Sequence, residues 1–444
     1  MSEITSVPIG APRAPRDSRG FHKVVAASMS GTAIEFYDFF LYGTAAATIF
    51  NKVFFPAGDP LVGTLAAFAT YAVGFIARPL GGVVFGQIGD RVGRKRALMI
   101  SLAVMGASTF AIGLVPSYAT IGAFAPLLLT LLRILQGLAL GGEWGGAVLL
   151  IAEHASHQRR GFWASWAQAG GPLGSLLSTG VLALLSATMS AAAFTAWGWR
   201  VAFLLSAVLI VIAYFLRRSV EESPVYQAAA GARSGRQKSP VLELLRKHRK
   251  AVLLSFGACV GEKATYYTFG IFCLSYLVEE RGVSRGEVLN ALTVASVFWF
   301  ASMLVGGWLS DRFGRRTITV IGALGAAVWI PLSLGWLTLG DRPSSIAVVV
   351  ALSVGVLLDG IITGGLAAFF AELFPTSVRY TGASVGYQLA GIVGGSLTPI
   401  VGVSLLAATG SVLPVAAFVL AMLALTLISM VVAGETRHRR LTDI

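Results

Sequence analysis

The chain has 444 residues, 55% of them hydrophobic and only 12% charged, against about 25% charged in soluble domains. An ordinary soluble protein is excluded: a bilayer-spanning helix takes about 20 apolar residues, so this length holds roughly a dozen spans, the size of a transporter. The formal charge is +13, but the basic residues interrupt apolar runs instead of forming the single patch of a nucleic-acid surface, so no nucleic-acid partner is expected.

In chain order, a basic, Pro-rich leader from Met1 to Lys23 has no apolar core before Phe21. It is read as a cytoplasmic tail (1–21), not a cleaved signal peptide. Apolar runs bounded by charges or turn residues follow at 22–50, 61–86, 97–115, 120–145, 161–188 and 199–217. A second six lie at 250–278, 288–310, 317–339, 345–370, 381–407 and 412–433. These runs predict an all-α membrane protein of twelve transmembrane helices: an N-terminal half (22–217), a basic linker (218–249), a C-terminal half (250–433) and a short tail (434–444). The tails, the linker and the loops after even-numbered spans hold 26 Lys and Arg, the opposite loops 5, which places both termini in the cytoplasm. The two cysteines, Cys259 and Cys273, stand about 21 Å apart along one helix and cannot bridge within it. No metal-ligand spacing and no catalytic motif occurs, so no metal, cofactor or enzymatic activity is expected.

The halves repeat each other. GQIGDRVGRKR at 86–96, between spans 2 and 3, recurs as GWLSDRFGRRT at 307–317, between spans 8 and 9, 221 residues on. AEHASHQRRG, with Glu153, and AELFPTSVRYTG, with Glu372, occupy the loops after spans 4 and 10, those glutamates 219 apart. Repeats of this kind put a substrate site between the halves near the midplane.

At these residues the chain resembles the major facilitator superfamily. Gly86, Asp90, Arg91, Gly93, Arg94 and Lys95 fit its loop signature, and Asp311, Arg312, Gly314, Arg315 and Arg316 repeat it. GTAIEFYDFFLYG at 31–43, GFIARPLGGVVFGQIGDRVGRK at 74–95 and RILQGLALGGEWGGA at 133–147 resemble the metabolite:proton symporter family. That family includes bacterial carriers for citrate, 2-oxoglutarate, shikimate, proline and betaine. RRGFWASWAQAGGPLG at 159–174 and WGWRVAFLLS at 197–206 lean toward its shikimate side. The resemblance implies two pseudo-symmetric six-helix bundles with alternating access, in a bacterial inner membrane. The chain stops about eleven residues after its last span, with no room for the coiled-coil extension of osmosensing members. Gly170, Gly171, Pro172 and Gly174 match the span-5 signature of drug antiporters only in part.

Ionisable groups inside spans are costly and mark ion or substrate paths. Glu35 and Asp38 share one face of span 1 with Gly31 and Tyr42. Arg133 sits near the middle of span 4, and a span-1 carboxylate facing a span-4 arginine resembles the coupling pair of proton-driven sugar porters. Burial favours a neutral carboxyl and a neighbouring arginine favours the carboxylate, so a pair that opens and closes is a proton-dependent switch; the alternative is a permanent salt bridge. Once freed, Arg133 is able to take a substrate carboxylate bidentately. Arg78 on span 2 is a second anion contact or a partner of Glu35. Glu262 and Lys263, beside Tyr266 and Tyr267 on span 7, and Asp359 on span 10 are further substrate contacts, one of the first two pairing with Asp359. Gln168 and Gln388 are hydrogen-bond donors to substrate or glue between helices. His22, His154, His157, His248 and His438 lie in tails, loops or span ends, so the carboxylates carry the proton. Asp90 and Asp311 are expected to pair with arginines as a cytoplasmic latch, joined by Glu153 and Glu372. The expected function is proton-coupled import of a small mono- or dicarboxylate or shikimate-like hydroxy acid by a monomer in the lipid bilayer, with a zwitterionic osmolyte as the rival substrate and a non-transporting substrate sensor as the further alternative.

Overall fold

A computed structural model describes residues 19–56, 59–92, 94–141, 148–149, 151–153, 155–218, 244, 246–375, 378–439 and 441, without the side chains at 19, 86, 87, 89–98, 213, 214 and 216–218. Among the described residues the helices join into twelve rods. They are α1 (19–53), α2 (Pro60–Val92), α3 (Arg94–Leu114), α4 (118–140), α5 (Arg160–Thr188), α6 (191–218), α7 (249–279), α8 (Arg285–Phe313), α9 (Arg315–Leu337), α10 (Ser345–Leu373), α11 (379–409) and α12 (Leu413–Ala433). Most of the expected linker lies outside the described residues.

Eight of these rods are long and apolar enough to cross a bilayer. Rods α3 and α4 carry the shorter apolar stretches Met99–Leu114 and Phe124–Leu140, while α1 and α7 carry Glu35, Asp38, Glu262 and Lys263. Large apolar side chains point outward, Ile346 at 74% exposure, whereas Arg133 is 1% exposed and Asp359 is fully buried. A shell of this kind suits lipid, where helices satisfy every backbone polar group internally.

Local signals set the ends. Ser284 caps α8 by accepting the Glu287 N–H at 3.3 Å, and Ser344 caps α10 through the Ala347 N–H at 3.2 Å, the N-terminal device of helix starts. Several boundaries differ from the sequence reading, α2 running on to Val92 instead of 86. Rod α6 begins at Ala191 instead of 199, because Ser190 caps it ahead of the apolar run, and α1 begins at Arg19.

The halves are alike in fine structure as well as in loops. A π-helical turn at Ala46–Phe50 in α1 recurs at Thr268–Phe272 in α7, close to the spacing of the loop repeat. Such turns widen a helix by one residue and re-aim the side chains beside it. Rod α1 packs on α5 backbone to backbone: a Cβ at Gly174 would lie 2.5 Å from the Ala33 carbonyl oxygen and 2.6 Å from the Tyr37 nitrogen. The partial span-5 signature therefore has a packing reason here. Between the halves, α5 packs against α8 and α10, and α2 against α11.

Candidate functional site

The N-terminal half builds its centre around one ring. Phe39 of α1 has the Arg78 guanidinium carbon 4.3 Å and that of Arg133 4.8 Å from its centroid. Arg133 also lies 4.3 Å from the Tyr42 ring and 4.9 Å from Tyr71, and Arg78 lies 4.8 Å from Phe75. Cations over aromatic faces gain electrostatically, more so when desolvated, but rings accept no conventional hydrogen bond. Accordingly, among the described residues, Nε and Nη2 of both arginines, each at least nine-tenths buried, have no hydrogen-bond partner. Tyr42 is itself fixed by donating to Thr70 Oγ1 at 2.7 Å.

Arg133 and Asp38 communicate without touching. Arg133 Nη1 donates to Gln136 Oε1 at 3.1 Å, Gln136 Nε2 donates to Thr109 Oγ1 at 2.6 Å, and the Thr109 hydroxyl donates to Asp38 Oδ2 at 2.8 Å. For Asp38, the expected direct pair with Arg133 is thus replaced by a relay through α4 and α3, because the aromatic cage draws the guanidinium away from that carboxylate. Glu35 and Gln168 are both buried.

In the C-terminal half, Glu262 and Lys263 pair with each other at 3.1 Å, and Lys263 Nζ also donates to the Tyr387 hydroxyl at 2.8 Å. Cys259 Sγ reaches Glu262 Oε2 at 3.2 Å. Asp359 is held instead by the Trp299 indole, whose Nε1 donates to Oδ2 at 2.9 Å. The expected pairing of Asp359 with α7 is therefore replaced by one with α8, since Lys263 is already committed to Glu262 and Tyr387. Gln388 on α11 is buried with Oε1 unpartnered.

Aromatic contacts join the halves at mid-height. Phe40 lies 4.8 Å from Tyr266 and Phe75 lies 5.7 Å from Tyr267, ring to ring. Tyr266 in turn stacks on Trp299 at 4.2 Å.

Both ends of the bundle are also latched. At the end carrying the loop motifs, Asp311 of α8 accepts the backbone N–H groups of Gly161 and Phe162 at 2.7 and 2.8 Å, and Arg315 at 2.6 Å. Glu372 of α10 meets Arg160 at 3.0 Å, Arg315 at 3.3 Å and the Thr436 hydroxyl at 2.8 Å. Glu153 meets Arg379 at 3.5 Å. Gly314 stands at φ 104°, a conformation open to glycine, and there the chain turns from α8 into α9. Arg316 and Arg312 take part through their backbones: the Arg316 N–H donates to Glu435 at 3.2 Å and the Arg312 carbonyl accepts from Arg437 at 2.6 Å. In the first copy of the motif, Gly93 and the side chains of Asp90, Arg91, Arg94 and Lys95, together with Gly86, lie outside what is described. At the opposite end Lys52 pairs with Glu279 at 3.4 Å, and Arg285 donates to the Thr48 carbonyl at 2.7 Å.

Several of these groups were not singled out from sequence: Phe39, Thr109, Gln136, Trp299, Arg160 and Thr436. The spacing of Thr109 and Gln136 gives no signal, whereas an intramembrane aromatic one position from Asp38 is a clue in retrospect.

Twelve helical rods, the outer ones turning apolar side chains outward around a buried charged and aromatic centre and latched between halves at both ends, fit a membrane transporter. The chain belongs to the Major Facilitator Superfamily, whose family model matches residues 28–399 and 264–442. It is 42% identical over 431 residues to the inner membrane metabolite transport protein YhjE of Escherichia coli K12, covering 96% of this chain and 97% of that one. It is 40% identical over 386 residues to the shikimate transporter of the same organism, covering 85% and 86%. The fold is that of the proton:xylose symporter XylE bound to 6-bromo-6-deoxy-D-glucose, with a TM-score of 0.77 and 18% identity over 96% of this chain and 98% of that one.

Proposed function

We propose that this transporter imports a small organic anion together with protons across a bacterial inner membrane, both termini and the loop-motif end facing the cytoplasm. The observation that carries this reading is the pair of buried guanidiniums, Arg78 and Arg133, each with Nε and Nη2 unpartnered. A buried cation without acceptors is costly, and a carboxylate supplies two acceptor oxygens in the geometry a guanidinium prefers. Phe39, Tyr42, Tyr71 and Phe75 offer flat apolar walls to a ring or carbon chain. The YhjE and shikimate-transporter relatives support a metabolite, and the latter a hydroxylated cyclic carboxylate. A betaine-like cation is disfavoured, because the rings that would cage its ammonium are already occupied by the two arginines.

The relay supplies coupling. A proton on Asp38 removes the charge that Thr109 serves, the chain through Gln136 slackens, and Arg133 Nη1 is released to the substrate. Proton and anion load together; the latches then exchange, the cytoplasmic Asp311 contacts opening while Lys52 and Glu279 hold the outside shut.

The test is the purified protein in liposomes with an internal pH dye, challenged with carboxylates, sugars and betaines. Acidification with a carboxylate, lost in Arg133→Ala and in Asp38→Asn, is expected. Acidification with betaines alone, or saturable uptake without proton movement, overturns the reading.

A further inference from the structure

Three ionisable side chains lie together inside the C-terminal half, and their charges do not balance. Lys263 spends its single charge on Glu262 at 3.1 Å and on the Tyr387 hydroxyl at 2.8 Å. Glu262 uses its other oxygen on Cys259. Asp359 is left fully buried, with the Trp299 indole donating to Oδ2 and, among the described residues, with Oδ1 unpartnered. When all three are ionised the cluster carries one net negative charge in the membrane interior, where an uncompensated charge is expensive.

Among the described residues, no other helix packed against α10 supplies a cation at the depth of Asp359; Arg160 and Arg315 meet α10 only at its far end, at Glu372. Rods α5, α8 and α9 carry no ionisable side chain between their terminal turns, and α7 brings Cys259, Glu262, Lys263 and Tyr266. From α11 comes Tyr387, already bonded to Lys263. A proton on Oδ1 neutralises the cluster with no other change.

The surroundings of Asp359 lead directly to the contact between halves. Trp299, its donor, stacks on Tyr266 at 4.2 Å and 22°. Tyr266 packs on Phe40 of α1 at 4.8 Å and its hydroxyl reaches Ser175 of α5 at 3.4 Å; Ser296, one turn from Trp299, also donates to Ser175 at 3.0 Å. Backbone packing leaves little slack: a Cβ at Gly360, next to Asp359, would lie 2.9 Å from the Trp299 carbonyl oxygen.

We propose that Asp359 is a second proton site, in the C-terminal half and separate from the Asp38 relay, whose charge is read at the interface between halves through Trp299 and Tyr266. Oδ1 takes a proton from the outer side and releases it to the inner side in each cycle. The indole then moves between a charged and a neutral acceptor, and its stack on Tyr266 moves with it. This deepens the proton-coupled reading by adding a second proton-carrying group, and it leaves the anion site with the two arginines.

The test needs no substrate. The full-length protein is titrated from acid to alkaline pH while tryptophan emission and the infrared carbonyl band of protonated carboxyl groups are recorded. Wild type is expected to show one emission step and a titrating carboxyl band, both lost in Asp359→Asn and both kept in Asp38→Asn apart from that residue's own band. Identical titrations in wild type and Asp359→Asn overturn the proposal. Should Asp359→Asn not fold, Trp299→Phe serves: the emission step disappears while the Asp359 band persists at a shifted frequency, and an unshifted band overturns the link. An intact Asp359 titration in a protein that fails the liposome acidification test sinks the proton-import reading and with it the transfer of this proton across the membrane, leaving only the titration of Asp359 and its link to Trp299.

Discussion

Arg78 and Arg133 share the ring of Phe39, at 4.3 and 4.8 Å from its centroid. They come from different helices, α2 and α4, and two like charges are held near one another by a single quadrupole and by rings on either flank. In the proposed function an anion completes this arrangement.

Phe39 should therefore govern affinity. Each cation–π contact is worth ~0.5–2 kcal/mol, so Phe39→Leu is expected to raise KM for the transported anion about tenfold with a smaller change in kcat, while Phe39→Tyr stays close to wild type. Initial uptake rates against concentration measure the split, and an unchanged KM in Phe39→Leu contradicts the role.

Thr109 is the hinge of the relay, since its oxygen both donates to Asp38 and accepts from Gln136. Thr109→Val keeps the shape and removes both bonds. A buried hydrogen bond to a charged group is worth ~1.5–3 kcal/mol, so pH-driven uptake should fall about tenfold or more while substrate counterflow at equal pH persists. Equal losses in both assays would assign Thr109 to packing alone.

Asp311 holds the loop-motif end shut by accepting two backbone N–H groups of α5 and Arg315. Asp311→Asn loses part of this, ~2 kcal/mol for charge-assisted bonds, and shifts the protein toward the inward-open state. Ser165 is fully buried in that latch, so a Ser165→Cys probe should react with a permeant maleimide about tenfold faster beside Asp311→Asn. Cys259 and Cys273 are buried and provide the background. An unchanged labelling rate would remove Asp311 from the latch.

Glu435, beyond the last span, acts as a remote cap for α9 by accepting the Arg315 and Arg316 N–H groups at 2.9 and 3.2 Å. A lost cap costs about 1 kcal/mol. Glu435→Ala should lower Tm by about 1–2 °C and Glu435→Asp by less, both read by thermal unfolding in detergent.

The fold was largely legible because lipid imposes long apolar runs and because charges cluster in one set of loops. Arg78, Arg133, Glu262, Lys263 and Asp359 stood out for the same reason, as charges where none is cheap. Their partners did not. Phe39 and Trp299 look like any aromatic in an apolar run, and only three-dimensional placement sets them against a guanidinium or a carboxylate. Thr109 and Gln136 are small polar residues of a kind common in packed membrane helices, so a two-step bridge from Arg133 to Asp38 has no periodicity to betray it. Arg160 reads as one more basic loop residue in sequence, and only its place beside Glu372 gives it a partner. The early start of α6 was hidden because Ala191 to Ala193 are only weakly apolar and Ser190 caps them.

The decisive measurement separates anion from proton in one protein. Counterflow of the carboxylate found in the liposome screen is compared with its pH-driven uptake in Arg78→Gln, Arg133→Gln and Asp38→Asn. Loss of both activities in the two arginine variants, with counterflow retained and pH-driven uptake lost in Asp38→Asn, is the expected result. Counterflow at wild-type rates in either arginine variant would contradict an anion site built from the two guanidiniums that share Phe39.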